Sequence, residues 1–108
     1  MSNTFKSYPI KNISTLGNVV YTVPAATQTI GVGLSISNTS ASPITANVYI
    51  TRSATNYYIV NTATVPAGGT LVAAGVDQKL VLQASDVVNV STSANVAADC
   101  WFSILEIA

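Results

Sequence analysis

The stretch Val65–Val90, VPAGGTLVAAGVDQKLVLQASDVVNV, decides how this chain reads. Two turns are spelled openly in it, Pro66-Ala67-Gly68-Gly69 and Gln83-Ala84-Ser85-Asp86, and Gly75-Val76-Asp77-Gln78 makes a third. Each gathers the residues that preset a bend or bond their own backbone. Between the turns lie runs too short for helices: Thr70 to Ala74, Lys79 to Gln83 and Asp86 to Ser93. They carry Leu71, Val72, Leu80, Leu82, Val88 and Val90, with Leu80, Leu82, Val88 and Val90 expected to point inward. Short apolar runs cut by turn residues are the signature of strands around one packed core.

The same grammar runs through the rest of the chain. From Thr29 to Ser37 the sequence alternates, with Ile30, Val32, Leu34 and Ile36 on one face and Thr29, Gly31, Gly33, Ser35 and Ser37 on the other. That period of two predicts a half-buried strand, and glycines on its outer face predict a bend or a close neighbour. Ile44 to Arg52 repeats the pattern with Ile44, Ala46, Val48 and Ile50 inward. A loop of about six residues between these strands predicts an antiparallel hairpin. Val19 to Val23 predicts a short strand with Val19, Tyr21 and Val23 on one face. Tyr57 to Val65 predicts a strand whose register is open, since Tyr57 and Ile59 compete with Tyr58 and Val60 for the inside; a bulge near Asn61 would decide it. The closing strand, Asp99 to Ile107, is apolar on both faces, with Cys100, Phe102 and Ile104 opposed to Trp101, Leu105 and Ile107. Such a strand belongs at the centre of a sheet or under a neighbouring subunit.

Turn signals every 8 to 12 residues, with no helical periodicity, place the chain in the all-β class. The expectation is an antiparallel β-sandwich of about eight strands, jelly-roll or immunoglobulin-like. Residues 1–13 are read as an extended N-terminal arm or edge strand, and 14–108 as the single sandwich domain.

Charge narrows the function. Four Lys and Arg balance four Asp and Glu in 108 residues, with no histidine. No basic stripe can form, so neither a nucleic-acid partner nor an anionic membrane surface is expected. At 7% charged residues, the surface depends on Ser, Thr and Asn for its polarity and is weakly protected against self-association. This favours an assembly that covers much of the surface. No secretory leader opens the chain and no apolar run approaches the length of a membrane span, so a soluble cytosolic product is expected.

Catalytic chemistry finds no footing. Histidine, the usual proton acceptor near neutral pH, is missing. The carboxylates Asp77, Asp86, Asp99 and Glu106 fall on separate turns and one strand, where Asp77 and Asp86 read as turn residues. No metal-ligand or calcium-loop spacing occurs, no cofactor motif is present, and Gly68-Gly69 lacks the lysine-bearing helix of a phosphate loop. Cys100 has no neighbouring cation and reads as a small buried apolar residue. The aromatics Phe5, Tyr8, Tyr49, Tyr57, Tyr58 and Trp101 are the candidate interface residues, because aromatic rings bury large area at low entropic cost.

The order FKSYPIKNI, VVYTVPAATQT, GLSISNTSASPITANVYIT, NYYIV, VPAGGTLV, QKLVLQASDVVNV and SILEI resembles a family of small β-rich virion structural proteins of tailed bacteriophages, particularly of marine and cyanobacterial hosts. The resemblance covers nearly the whole chain, and VPAGGTLV…QKLVLQASDVVNV is its most recognisable block. It implies a non-enzymatic particle component, made in the host cytoplasm and located in the virion. The expected function is a capsid decoration or cement protein, a homo-oligomer whose partners are the major capsid protein or other virion proteins. A neck or tail component, and a receptor- or carbohydrate-binding module built on the aromatics, are the competing readings.

Overall fold

A computed structural model describes residues 2–75 and 78–108. The expected turn at Gly75–Gln78, with Asp77 in it, lies partly outside the described residues; Gly75 and Gln78 themselves are bridged. The described residues form nine strands: β1 (Asn3–Ile10), β2 (Asn18–Thr22), β3 (Gln28–Asn38), β4 (Ile44–Arg52), β5 (Thr55–Val65), β6 (Thr70–Ala74), β7 (Leu80–Leu82), β8 (Val87–Thr92) and β9 (Ala98–Ile107). They make two antiparallel sheets. One has the order β1-β9-β3-β6, with β7 also paired to β3, and the other has the order β2-β8-β4-β5. Because β9 occupies one edge of β3 along its length, β6 and β7 share the opposite edge end to end, as one interrupted strand. Counted so, there are eight strands. The chain changes sheet at every connection except β4–β5, which is the double Greek key of a jelly roll and not the immunoglobulin order.

The turns of the opening stretch hold that path together. Gly69 N–H donates to the Pro66 carbonyl and Gly68 has φ +72°; Asp86 N–H donates to the Gln83 carbonyl and Ser85 has φ +73°. Both are tight turns with a left-handed third residue, the position at which a type II turn favours glycine. The β4–β5 hairpin turns on Ser53 and Ala54, both at positive φ, as a two-residue turn of the strand-matching hand requires.

Several strand faces differ from the alternation read in the sequence. The predicted β3–β4 hairpin does not form. Both strands carry an apolar inner face, and the loop after Asn38 carries the chain from one sheet to the other so that those faces oppose each other. Within β3, a bulge between Gly31 and Gly33 resets the pleat. Leu34 and Ile36 point inward as expected, but ahead of the bulge the inner positions are Thr29 and Gly31, and Ile30 and Val32 turn out. A bulge between Val19 and Tyr21 likewise buries Val20 with Tyr21 and Val23 and exposes Val19. In β5 the register shifts on both sides of Val60, which pairs with Val48. Asn61 and Thr62 form the extra turn of chain opposite Asn47, whose side-chain oxygen accepts the Thr62 N–H at 2.7 Å.

Residues 3–10, from the segment read as an arm or edge strand, run as β1 along β9 from Asn3↔Ile107 to Ile10↔Cys100. Tyr8 and Ile10 pack against the core, and Ile13 is fully buried. The segment therefore joins the sheet and does not project from it.

The core lies between the sheets and is filled by Phe102, Ile13, Leu34, Ile36, Ile104, Val48, Val65, Val88 and Val90. Gly31 is an inner position without a side chain because Phe102 takes the space. A Cβ there would stand 3.1 Å from the Leu80 Cβ and from the Phe102 ring. Gly31→Val is expected to cost about 1–3 kcal/mol by overpacking, read as a lower urea midpoint with an unchanged slope.

Candidate functional site

Strand register assigns each outward residue to a face. On the sheet containing β9, the outer face presents Phe5, Ser7 and Pro9 from β1, and Leu105, Ser103 and Trp101 opposite them from β9. Across β9, Ile30, Gly33 and Ser35 of β3 stand beside Leu105, Ser103 and Trp101, and Val81 and Val72 stand beside Ile30 and Ser35. Phe5 is 78% exposed, Val81 71%, Val72 65% and Trp101 53%. The face carries apolar and hydroxyl side chains, and its charged pair is Lys11–Asp99 at one end. Two shallow depressions flank Trp101: one of about 350 Å³ towards Pro9 and Lys11, and one of about 250 Å³ over Gly33, towards Val72. The outer face of the other sheet is different in kind. Asn47, Asn89, Ser91 and Thr51 cover it in a mesh of side-chain hydrogen bonds, relieved by Tyr49 and Tyr58, whose rings meet at 5.0 Å.

The six aromatic candidates therefore do not form one patch. Phe5 and Trp101 share the β9 sheet. Tyr49 and Tyr58 pair on the opposite face. Tyr57 lines a groove of about 350 Å³ between the β5 end and β7, with Arg52, Ile50 and Leu80. Tyr8 turns inward, its ring 5.0 Å from that of Tyr21. Sequence reading missed Val72 and Val81 on the exposed face. Their signal was visible: each adjoins an inward leucine in a strand apolar at successive positions. It also missed Leu16 and Val96, exposed in the loops before β2 and β9.

The described carboxylates are committed to structural bonds. Asp86, 1% exposed, accepts both Arg52 Nε at 2.8 Å and Arg52 Nη2 at 2.6 Å, and also the Gln83 N–H at 2.8 Å. The Arg52 bonds, with help from the Gln83 N–H, hold its carboxyl below the usual range against the opposing effect of burial. Asp99 accepts the Asn12 N–H and Lys11 Nζ, each at 2.9 Å, and is lowered by them in that order. Glu106 is buried on β9, where the Tyr21 hydroxyl donates to one oxygen and Lys6 pairs with the other at 2.9 Å. These bonds lower Glu106 despite its burial. Desolvation, reinforced by the bond to Glu106, raises Tyr21. Thr29, brought inside by the β3 bulge, meets the Tyr21 hydroxyl at 2.9 Å. The cluster pins β2 of one sheet to β1, β3 and β9 of the other. Among the described residues no group of three His, Cys, Asp or Glu side chains could hold a metal ion.

Cys100 is buried on β9 and burial pushes its thiol up to about 12. The native protein is expected to leave a thiol reagent unreacted at pH 8, and to titrate one thiol per chain in denaturant.

No known family model matches the chain, and no curated protein matches its sequence. Solved structures do share its fold. A chain of the infectious bursal disease virus particle superposes with a TM-score of 0.58 at 11% identity, over 96% of this chain and 30% of that one. A Bacillus endospore appendage subunit, from a family of disulfide-linked pili, gives 0.53 at 15% identity, over 97% and 86%. The VP2 subviral particle of infectious bursal disease virus gives 0.50 at 12%, over 96% and 32%. This chain spans about a third of the length of the virus chains. At such identities the likeness establishes the sandwich architecture alone.

Proposed function

We propose that the chain is a non-enzymatic structural component of a protein shell. The observation that carries this reading is the wide outer face of the β9 sheet, which exposes Phe5, Trp101, Val72 and Val81 among hydroxyl side chains and whose Lys11–Asp99 pair is matched. Large apolar side chains exposed together on one face mark a surface that is covered in use. The same architecture builds virus particles and endospore pili, and the described carboxylates are occupied by ion pairs. A covalent link of the pilus kind has no support in the folded chain, whose single cysteine is buried.

The finer reading is a capsid decoration or cement protein of a tailed-bacteriophage virion, acting as a homo-oligomer that bridges neighbouring copies of the major capsid protein. Its support is the sequence resemblance together with the neutral, hydroxyl-rich surface. Phe5 and Trp101, on one face, are the contact residues this reading favours; Tyr49, Tyr57 and Tyr58 would serve a second contact. Adding purified protein to particles that lack it tests the reading. Stoichiometric binding with a raised disruption temperature is the expected result, and failure to bind excludes cementing. Binding confined to one vertex would favour the neck or tail alternative.

A further inference from the structure

We infer that the outer face of the β9 sheet is a self-complementary surface, on which two copies of this chain pair face to face about a two-fold axis. The inference deepens the shell-component reading and rests on it.

Three observations argue for a second copy as the occupant. The first is charge. Identical faces stacked on each other meet like charge against like, and this face avoids the problem because its Lys11–Asp99 pair is already neutralised at 2.9 Å. The second is shape. Trp101, 53% exposed, borders the depression over Gly33, into which a side chain at that position would extend. The ring and the depression, knob and hole, lie on one face, so a two-fold axis between them seats each Trp101 in the other copy's depression, as an isologous interface requires. The third is area. Four strands about 4.8 Å apart and about 30 Å long give roughly 600 Å² in plan, before side-chain relief is counted. A standard interface buries about 800 Å² a side, so the face is of the order needed for a reversible pair.

The hole can be filled without harming the fold. A Cβ at Gly33 would meet the Ala74 carbonyl at 3.7 Å, an ordinary contact, and Gly33 has no left-handed backbone to strain. Trp101→Ala and Gly33→Val therefore attack the knob and the hole separately, and Val19→Asn on the other sheet is the control. Sedimentation of the purified chain from about 1 to 200 µM reads the result, with thermal melts to establish folding. A dimer in wild type and Val19→Asn, weakened at least tenfold in both Trp101→Ala and Gly33→Val, is expected. A monomer throughout, or a dimer unchanged by either face variant, overturns the inference. The shell reading is judged separately, by whether the wild-type chain binds particles. Binding without a dimer through this face removes the inference alone.

Discussion

Phe102→Ala is expected to cost about 3–5 kcal/mol, the penalty for emptying a fully buried aromatic site that cannot collapse. Phe102 is the largest fully buried side chain among the described residues. It sits on β9 at the middle of its sheet, pairs with Leu34 of β3 and Tyr8 of β1, and meets Tyr21 of the opposite sheet edge-on at 6.2 Å. Its neighbours are strands fixed by their own ladders, so they have little freedom to close the gap. Gly31 adds nothing to fill it. A domain of this size holds about 5–15 kcal/mol in total, so the variant is expected to lose roughly a fifth or more of its stability and to melt well over 10 °C lower. Melting followed by near-UV circular dichroism checks this. A loss under 1 kcal/mol would mean that the core is not centred on Phe102.

Asp86→Ala is expected to cost about 1–3 kcal/mol, because it takes the acceptor from the partly buried Gln83 N–H and removes both bonds to Arg52. The position joins three connections. Its carboxylate bonds the end of β4 and the start of its own turn, and its carbonyl accepts the Val23 N–H before β3. Asp86→Asn keeps the shape and an acceptor for Gln83, and is expected to cost about half as much. The pH dependence separates charge from packing. The folded Asp86 carboxyl titrates below its unfolded value. Its contribution is therefore complete above the unfolded value, near pH 4, and is lost as pH falls through the folded value. Asp99 and Glu106 are lowered too and act in the same window. Wild type should lose stability steeply on acidification below about pH 4, and Asp86→Asn less steeply, with the two curves converging in acid. Urea midpoints from pH 2 to 7 test this; parallel curves would assign the Asp86 effect to shape.

Local pattern was legible in the sequence where the pleat is regular. Ile44 to Ile50 and Cys100 to Ile104 alternate without interruption, and their inward residues could be named from parity. Parity failed at Val19 and at Ile30–Val32 because one extra residue inverts every side chain before it, and no residue type marks a bulge uniquely. Thr29 shows the consequence: a polar residue assigned to the surface lies fully buried, bonded to Tyr21. The sheet order was not legible. The loop after Asn38 is as suitable for crossing between sheets as for a hairpin, and both strands present the same apolar face to either partner. The ion pairs were beyond reach for a similar reason, since Arg52 and Asp86 are 34 residues apart and meet only once β4 and β8 are neighbours. Residue type marks the candidate aromatics, and type does not fix direction. Tyr8 faces inward while Phe5 and Trp101, on strands that pair with each other, face out together.

The proposed shell role rests on the neutral, exposed outer face of the β9 sheet. The number of copies per particle tests that most directly. Quantitative mass spectrometry of purified particles, with the major shell protein as internal standard, should find this chain present in a fixed ratio near one per shell subunit or a simple fraction of it. Absence from purified particles, with the chain recovered only in the soluble fraction of the producing cells, would contradict the account.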